Sequence, residues 1–146
     1  MAITSAICNS FKQEILESEL NFTASTGNTF NLALYDSDAS LGAGTTAYTT
    51  SEEITNTSGT AYSAKGKALT SVTPTLDSST AVCDFADVSW TSASFTARGC
   101  MIFNDSHSTD ASVCVIDFGG DKTATSGTFT IQFPTADATN AIIRIA

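Results

Sequence analysis

The residue types able to do chemistry are few and scattered in this chain. Asp36-Ser-Asp-Ala-Ser40 opens like a calcium loop, because alternate carboxylates can wrap one hard cation. An EF-hand would need Gly where Leu41 stands and Glu where Ala47 stands, which leaves only a weak site of another kind near Asp36 and Asp38. Asp105-Ser-His107 holds the three members of a serine triad, but a triad is made in space and not by adjacency, and no Gly-x-Ser-x-Gly turn is present. His107 is the one histidine, so acid–base work would fall to carboxylates such as Asp84, Asp87 and Asp117, whose separations the sequence leaves open. Gly119-Gly-Asp-Lys122 is too short for a phosphate loop and reads as a turn. Cys8, Cys83, Cys100 and Cys114 lack the close pairs of a zinc site and read as small buried apolar residues. No enzyme, cofactor or metal is expected from these patterns. Arg98 stands out, because it lies mid-strand in an apolar run where an arginine needs a partner. Asp117 on the neighbouring run is the candidate, with a contact between subunits as the alternative.

The elements that must position these residues read mostly as strands. Val88 to Asn104 and Val113 to Gly120 flank the polar gap Asp105–Asp110 and predict a hairpin at the centre of the fold. On a period of two, Phe95, Ala97, Gly99, Met101 and Phe103 share one face of it. Phe30, Leu32 and Leu34 alternate with Asn31, Ala33 and Tyr35 as another strand. Val72–Leu76 and Ala81–Phe85 predict two more around a turn, with Pro74 marking the first as an edge or a bend. Thr128–Phe133 and Ala141–Ala146 close the chain as strands, and strands are expected over about 29–146. Ile3, Ile7, Phe11 and Ile15 recur in steps of four, which predicts one amphipathic helix over about 5–18, capped by Thr4 or Ser5. That stripe packs on the chain's own sheet or docks on a neighbouring subunit. Asp36 to Gly59 is a long hydroxyl-rich loop of the kind that orders against a partner. The fold class expected is one mostly-β domain, residues 1–146, an antiparallel β-sandwich or partly open barrel with one N-terminal helix.

Composition sets the surface. Of the 146 residues only 14% are charged, while about three in ten are Ser or Thr, so hydroxyls rather than ions make the polar surface. The net charge of −9 repels phosphates, so neither nucleic acid nor an anionic membrane is expected as a partner. The first residues lack a basic stretch and a long apolar run, which argues against a signal peptide, and no run has transmembrane length. Synthesis in a reducing cytoplasm is therefore expected, where the sequons at Asn21, Asn56 and Asn104 have no meaning.

Several blocks, in order, resemble a group of small tailed-bacteriophage virion structural proteins. They are Ala2–Glu14, Thr29–Asp36, Leu41–Tyr48, Leu69–Pro74, Asp84–Trp90, Phe95–Gly99, Ile116–Gly120 and Gly127–Phe133. Together they span nearly the whole chain. The sequence departs from the usual text at Glu17-Ser-Glu-Leu20, at the join between helix and first strand. The resemblance implies a virion component made in the host bacterium. Among such roles a capsid decoration, or cement, protein on the capsid exterior is expected, bound to the major capsid protein and to itself, with a trimer as the usual geometry. A tail or neck accessory or receptor-binding fibre protein is the alternative, for which exposed Tyr35, Tyr48 and Tyr62 would serve. Phe11 and Ile15 of the helix and Tyr35, Leu41 and Tyr48 around the long loop are the structural or interface candidates, together with Arg98 and Asp117.

Overall fold

In the computed structural model, which describes residues 2–55 and 61–146, the chain is mostly β. Its elements are β1 (Ala6–Ile7), α1 (Asn9–Leu16), β2 (Phe30–Tyr35), β3 (Lys67–Ala68), β4 (Ser71–Asp77), β5 (Thr80–Phe85), β6 (Val88–Asn104), β7 (Ala111–Ile131) and β8 (Ile143–Ile145). They form two antiparallel sheets, in the orders β1-β7-β6-β2-β3 and β4-β5-β8, which suit a β-sandwich. Residues 56–59 of the expected loop, with the sequon at Asn56, lie outside the described residues.

The β6–β7 hairpin is the spine. Its turn covers residues 105–110, as the polar gap predicts. Directly opposed residues of neighbouring strands share a face. Leu34 and Cys100 thus lie on one face, with Leu32, Ile102 and Cys114 in the next row. Phe30 continues that face and meets Phe85 of the small sheet edge-on, with ring centres 5.9 Å apart, and stacks on Phe22 at 4.3 Å. Tyr35, Gly99, Met101 and Phe103 belong to the opposite face, which residues 2–5 and the loop from Asp36 cover. Both faces of residues 99–104 are therefore buried, and this part of β6 is a continuous apolar run instead of an alternation.

Three expectations are corrected here. The helix is shorter than its pattern: Ala6 and Ile7 pair with Val115 and Cys114 as a strand, and α1 begins only after Cys8, which makes no side-chain cap. Ser5 does not cap it because its Oγ accepts the Asp117 N–H at 2.8 Å, and Ile3 is held in a parallel bridge with Leu41. The far end is set by Ser18, whose φ of 62° is a left-handed stop. Second, Gly119–Lys122 is no turn between separate strands. β7 runs through it, with residues 118–121 bulging opposite Arg98 alone, between the pairs Ala97–Lys122 and Gly99–Asp117. Third, the loop after Asp36 does not wait for a neighbour over residues 36–55. Leu41, Ala47 and Glu53 each bridge to another part of the chain, and Ala39, Leu41 and Ile54 are buried.

The small sheet carries the predicted edge. Among the described residues β4 pairs only with β5; it is exposed along nearly its whole length and breaks register between Val72 and Thr75, around Pro74.

Candidate functional site

The polar groups resolve into separate clusters. The most buried centres on Glu53, whose side chain lies beside the end of β2. Its Oε1 accepts the Tyr62 hydroxyl at 2.7 Å and the Lys65 backbone N–H at 2.8 Å, and its Oε2 accepts the Tyr48 hydroxyl. Tyr62 Oη in turn accepts the Leu34 N–H at 3.0 Å, while the Ile54 N–H donates to Leu34 O at 2.9 Å, so this edge of β2 is closed by a side chain and a backbone group together. Desolvation first, and then the Glu53 carboxylate, push the Tyr48 hydroxyl up to about 12 and raise Tyr62 as well. Beside them Lys65 Nζ bridges Asp110 at 2.8 Å and Asp105 at 2.9 Å, and these bonds hold the ammonium well above its usual range. With three donors on its two oxygens, two of them from residues 62 and 65, the Glu53 carboxylate ties separate stretches of chain together as a clamp. Glu53 carries no sequence signal, because its donors come from the positions 48, 62 and 65 of irregular chain.

Asp36 and Asp38 are joined by Glu52, which the local pattern did not include. One carboxylate oxygen from each comes within 4.8 Å of the others. These three residues could hold a cation, but they supply about half the six to eight oxygens calcium takes. The Asp105-Ser-His107 constellation is not assembled. His107 Nδ1 lies 3.0 Å from Thr109 Oγ1 and its Nε2 3.3 Å from Glu19, while Ser106 Oγ accepts the Thr29 N–H. Asp87 and Asp117 are likewise engaged apart, Asp87 with the Phe133 N–H. Arg98 Nε donates to Asp117 Oδ1 at 2.8 Å, so the expected partner is the observed one within the chain. That bond, followed by the Gly119 N–H, draws the Asp117 carboxyl below its ordinary range.

The other sequence candidates separate by burial. Phe11, Tyr35 and Leu41 are buried in the chain's own core, and of the three only Phe11 borders the groove described below. Tyr35 donates its hydroxyl to Thr49 O at 2.7 Å, and half-buried Tyr48 stacks on Phe103 with ring centres 4.8 Å apart. With Tyr62 also buried, the tyrosines do not form an exposed aromatic set. Ile15 is half-buried and faces outward into a groove.

That groove is the feature the sequence did not reveal. It holds about 180 Å³ between Phe11, Ile15, Leu20 and Phe22 on one side and Pro74, Ala81, Cys83, Ile143 and Ile145 on the other. Ile145 of its wall is 52% exposed, and Leu76, in the same cross-strand row as Ala81 and Ile145, is 72% exposed. A wider cleft of about 680 Å³ runs along β7 between Phe118, Phe129, Ile131, Phe133 and Ile142. Large apolar side chains left in water mark contact surfaces more often than catalytic ones. No helix among the described residues is long and apolar enough to cross a membrane. Comparisons of this chain with protein-family models, with curated proteins and with solved structures find no match.

Proposed function

We propose that this chain is a structural protein of a tailed-phage particle, a decoration protein that binds the capsid exterior and stabilises the shell. The observation that carries the reading is the open apolar groove between α1 and the small sheet, on a chain with few charges and a hydroxyl-rich surface. The ordered sequence blocks that resemble phage virion proteins support it from a second side. In this role the groove side chains would supply affinity by burial, and the acidic surface would guide the encounter with basic patches on the shell protein. Self-association, as a trimer in this reading, would use other surfaces. Of the tyrosines named for the receptor-binding alternative, Tyr35 and Tyr62 are buried and Tyr48 is half-buried, so that reading would need other contact residues.

The test is binding to expanded, undecorated heads, read by co-sedimentation and by the temperature at which the heads release DNA. Binding with a raised release temperature is the expected result, and a chain that stays in the supernatant defeats the proposal. Quantitative mass spectrometry of virions gives the second readout. A copy number of the order of the shell protein's is expected, whereas one matching a single ring or a few fibres would move the chain to the neck or tail.

A further inference from the structure

The inner face of the small sheet continues past the end of the core. Cys83 and Ile143 oppose each other across β5 and β8, and both are buried. Two residues further along the same face, Leu76, Ala81 and Ile145 form the next cross-strand row. That row stands largely in water, and it opens into the groove walled by Phe11 and Ile15 of α1. The groove volume of about 180 Å³ is below the roughly 300–1,000 Å³ of small-molecule pockets, so it suits one or two apolar side chains.

Charge and edge chemistry choose among occupants. α1 has no basic residue in its last turn, while Glu14 and Glu17 sit at that end; Glu19, just beyond, lies 3.3 Å from His107 Nε2. Negative charge there opposes the helix dipole and would be relieved by a cation. Lys12 of α1 and Arg144 of β8 are engaged elsewhere, Lys12 with Asn9 and Arg144 with the Ala138 and Thr139 carbonyls. A second copy would bring these acids against themselves, on chains that each carry −9. Strand addition along β4 is opposed by Pro74 and by the register break around it, and Thr73 Oγ1 is already taken by the Ala24 N–H.

We propose that this groove anchors an apolar segment of a partner protein flanked by Lys or Arg, held by side chains and not by a shared sheet. The inference names the partner chemistry of the surface used in the capsid reading, and rests on that reading only for who the partner is. Two synthetic peptides with the same leucine and aromatic positions, one flanked by lysines and one by glutamates, are titrated into the full chain. Calorimetry and the methyl signals of Leu76 and Ile145 report binding. The lysine peptide is expected to bind, to move those methyl signals, and to weaken as salt rises. Leu76→Thr, an exposed position, should weaken it roughly tenfold, and Glu17→Lys several-fold. Equal affinity for the glutamate peptide, an unchanged affinity in Leu76→Thr, or self-association through the same methyl groups in sedimentation would each overturn it. If the Leu76→Thr chain decorates heads as well as the parent does, the inference fails and the capsid reading stands. If the parent ignores heads yet binds the lysine peptide at Leu76, the reverse holds.

Discussion

Glu14 shows how one residue can work against the fold that holds it. Its Oε2 is buried without a hydrogen-bond partner, and burial raises its pKa, partly countered by His107. A carboxyl raised in the folded state adds stability below its unfolded pKa, near 4.3, and that stability is lost as pH rises through the folded value. Glu14→Gln should therefore be more stable than the parent at pH 7, by only about 0.5 kcal/mol because solvent still reaches the rest of the half-buried side chain. The gain should vanish near pH 4, as urea unfolding at the two pH values would show. Asp117 has the opposite sign. Its carboxyl is lowered by Arg98, so its contribution is present above the unfolded pKa and fades as pH falls through the folded one. The Arg98–Asp117 pair was legible in the sequence, because an arginine in an apolar strand demands a carboxylate. The bulge that brings them together was not, because two glycines beside Asp121 and Lys122 read equally well as a turn.

At the scale of elements, the strands were legible and the joins between them were not. Alternation marks Phe30–Tyr35, and Pro74 marks an edge, because those signals are local. The helix pattern overran, since Ile3 and Ile7 fit a helical stripe and a strand equally until β7 offers Ile7 a neighbour. Packing of the N-terminal residues depends on Gly99. A Cβ there would lie 2.5 Å from Ile116 O and 2.9 Å from Ile3 Cδ1. Gly99→Ala should destabilise the chain by about 1–3 kcal/mol. Ile3→Ala should restore little of it, because the backbone oxygen cannot retreat; chemical denaturation of the single and double variants checks both. Glu53 ties the loop after Asp36 to Tyr62 and β2. Glu53→Ala removes the acceptor of two hydroxyls and one N–H, and should cost about 2–4 kcal/mol, while Glu53→Gln should keep part of the clamp.

At the scale of the whole molecule, four cysteines from distant parts of the chain enter one core. Cys8, Cys83, Cys100 and Cys114 are free and buried, and desolvation pushes the thiols of Cys83 and Cys114 up to about 12. The folded protein should thus resist alkylation at pH 8, and all four should react together once denaturant unfolds it. Stepwise labelling, counted by mass spectrometry, would contradict a single cooperative core. The same scale holds the exposed row of Leu76 and Ile145. Their neighbours in sequence look like ordinary strand text, and the same face that is buried at Cys83 and Ile143 is left in water at their row.

By itself the sequence determined the class of the fold, the hairpin at its centre, the edge at Pro74 and a partner for Arg98. These follow from periodicity, proline chemistry and the cost of an unpaired charge, all of which act within a few residues or between neighbouring strands. The tertiary structure decided which faces are buried, where the helix starts, that the long loop is stitched to its own chain, and where an apolar groove stays open. Those outcomes depend on register and on which segments pack on each face, and both are settled by contacts between residues far apart in the chain.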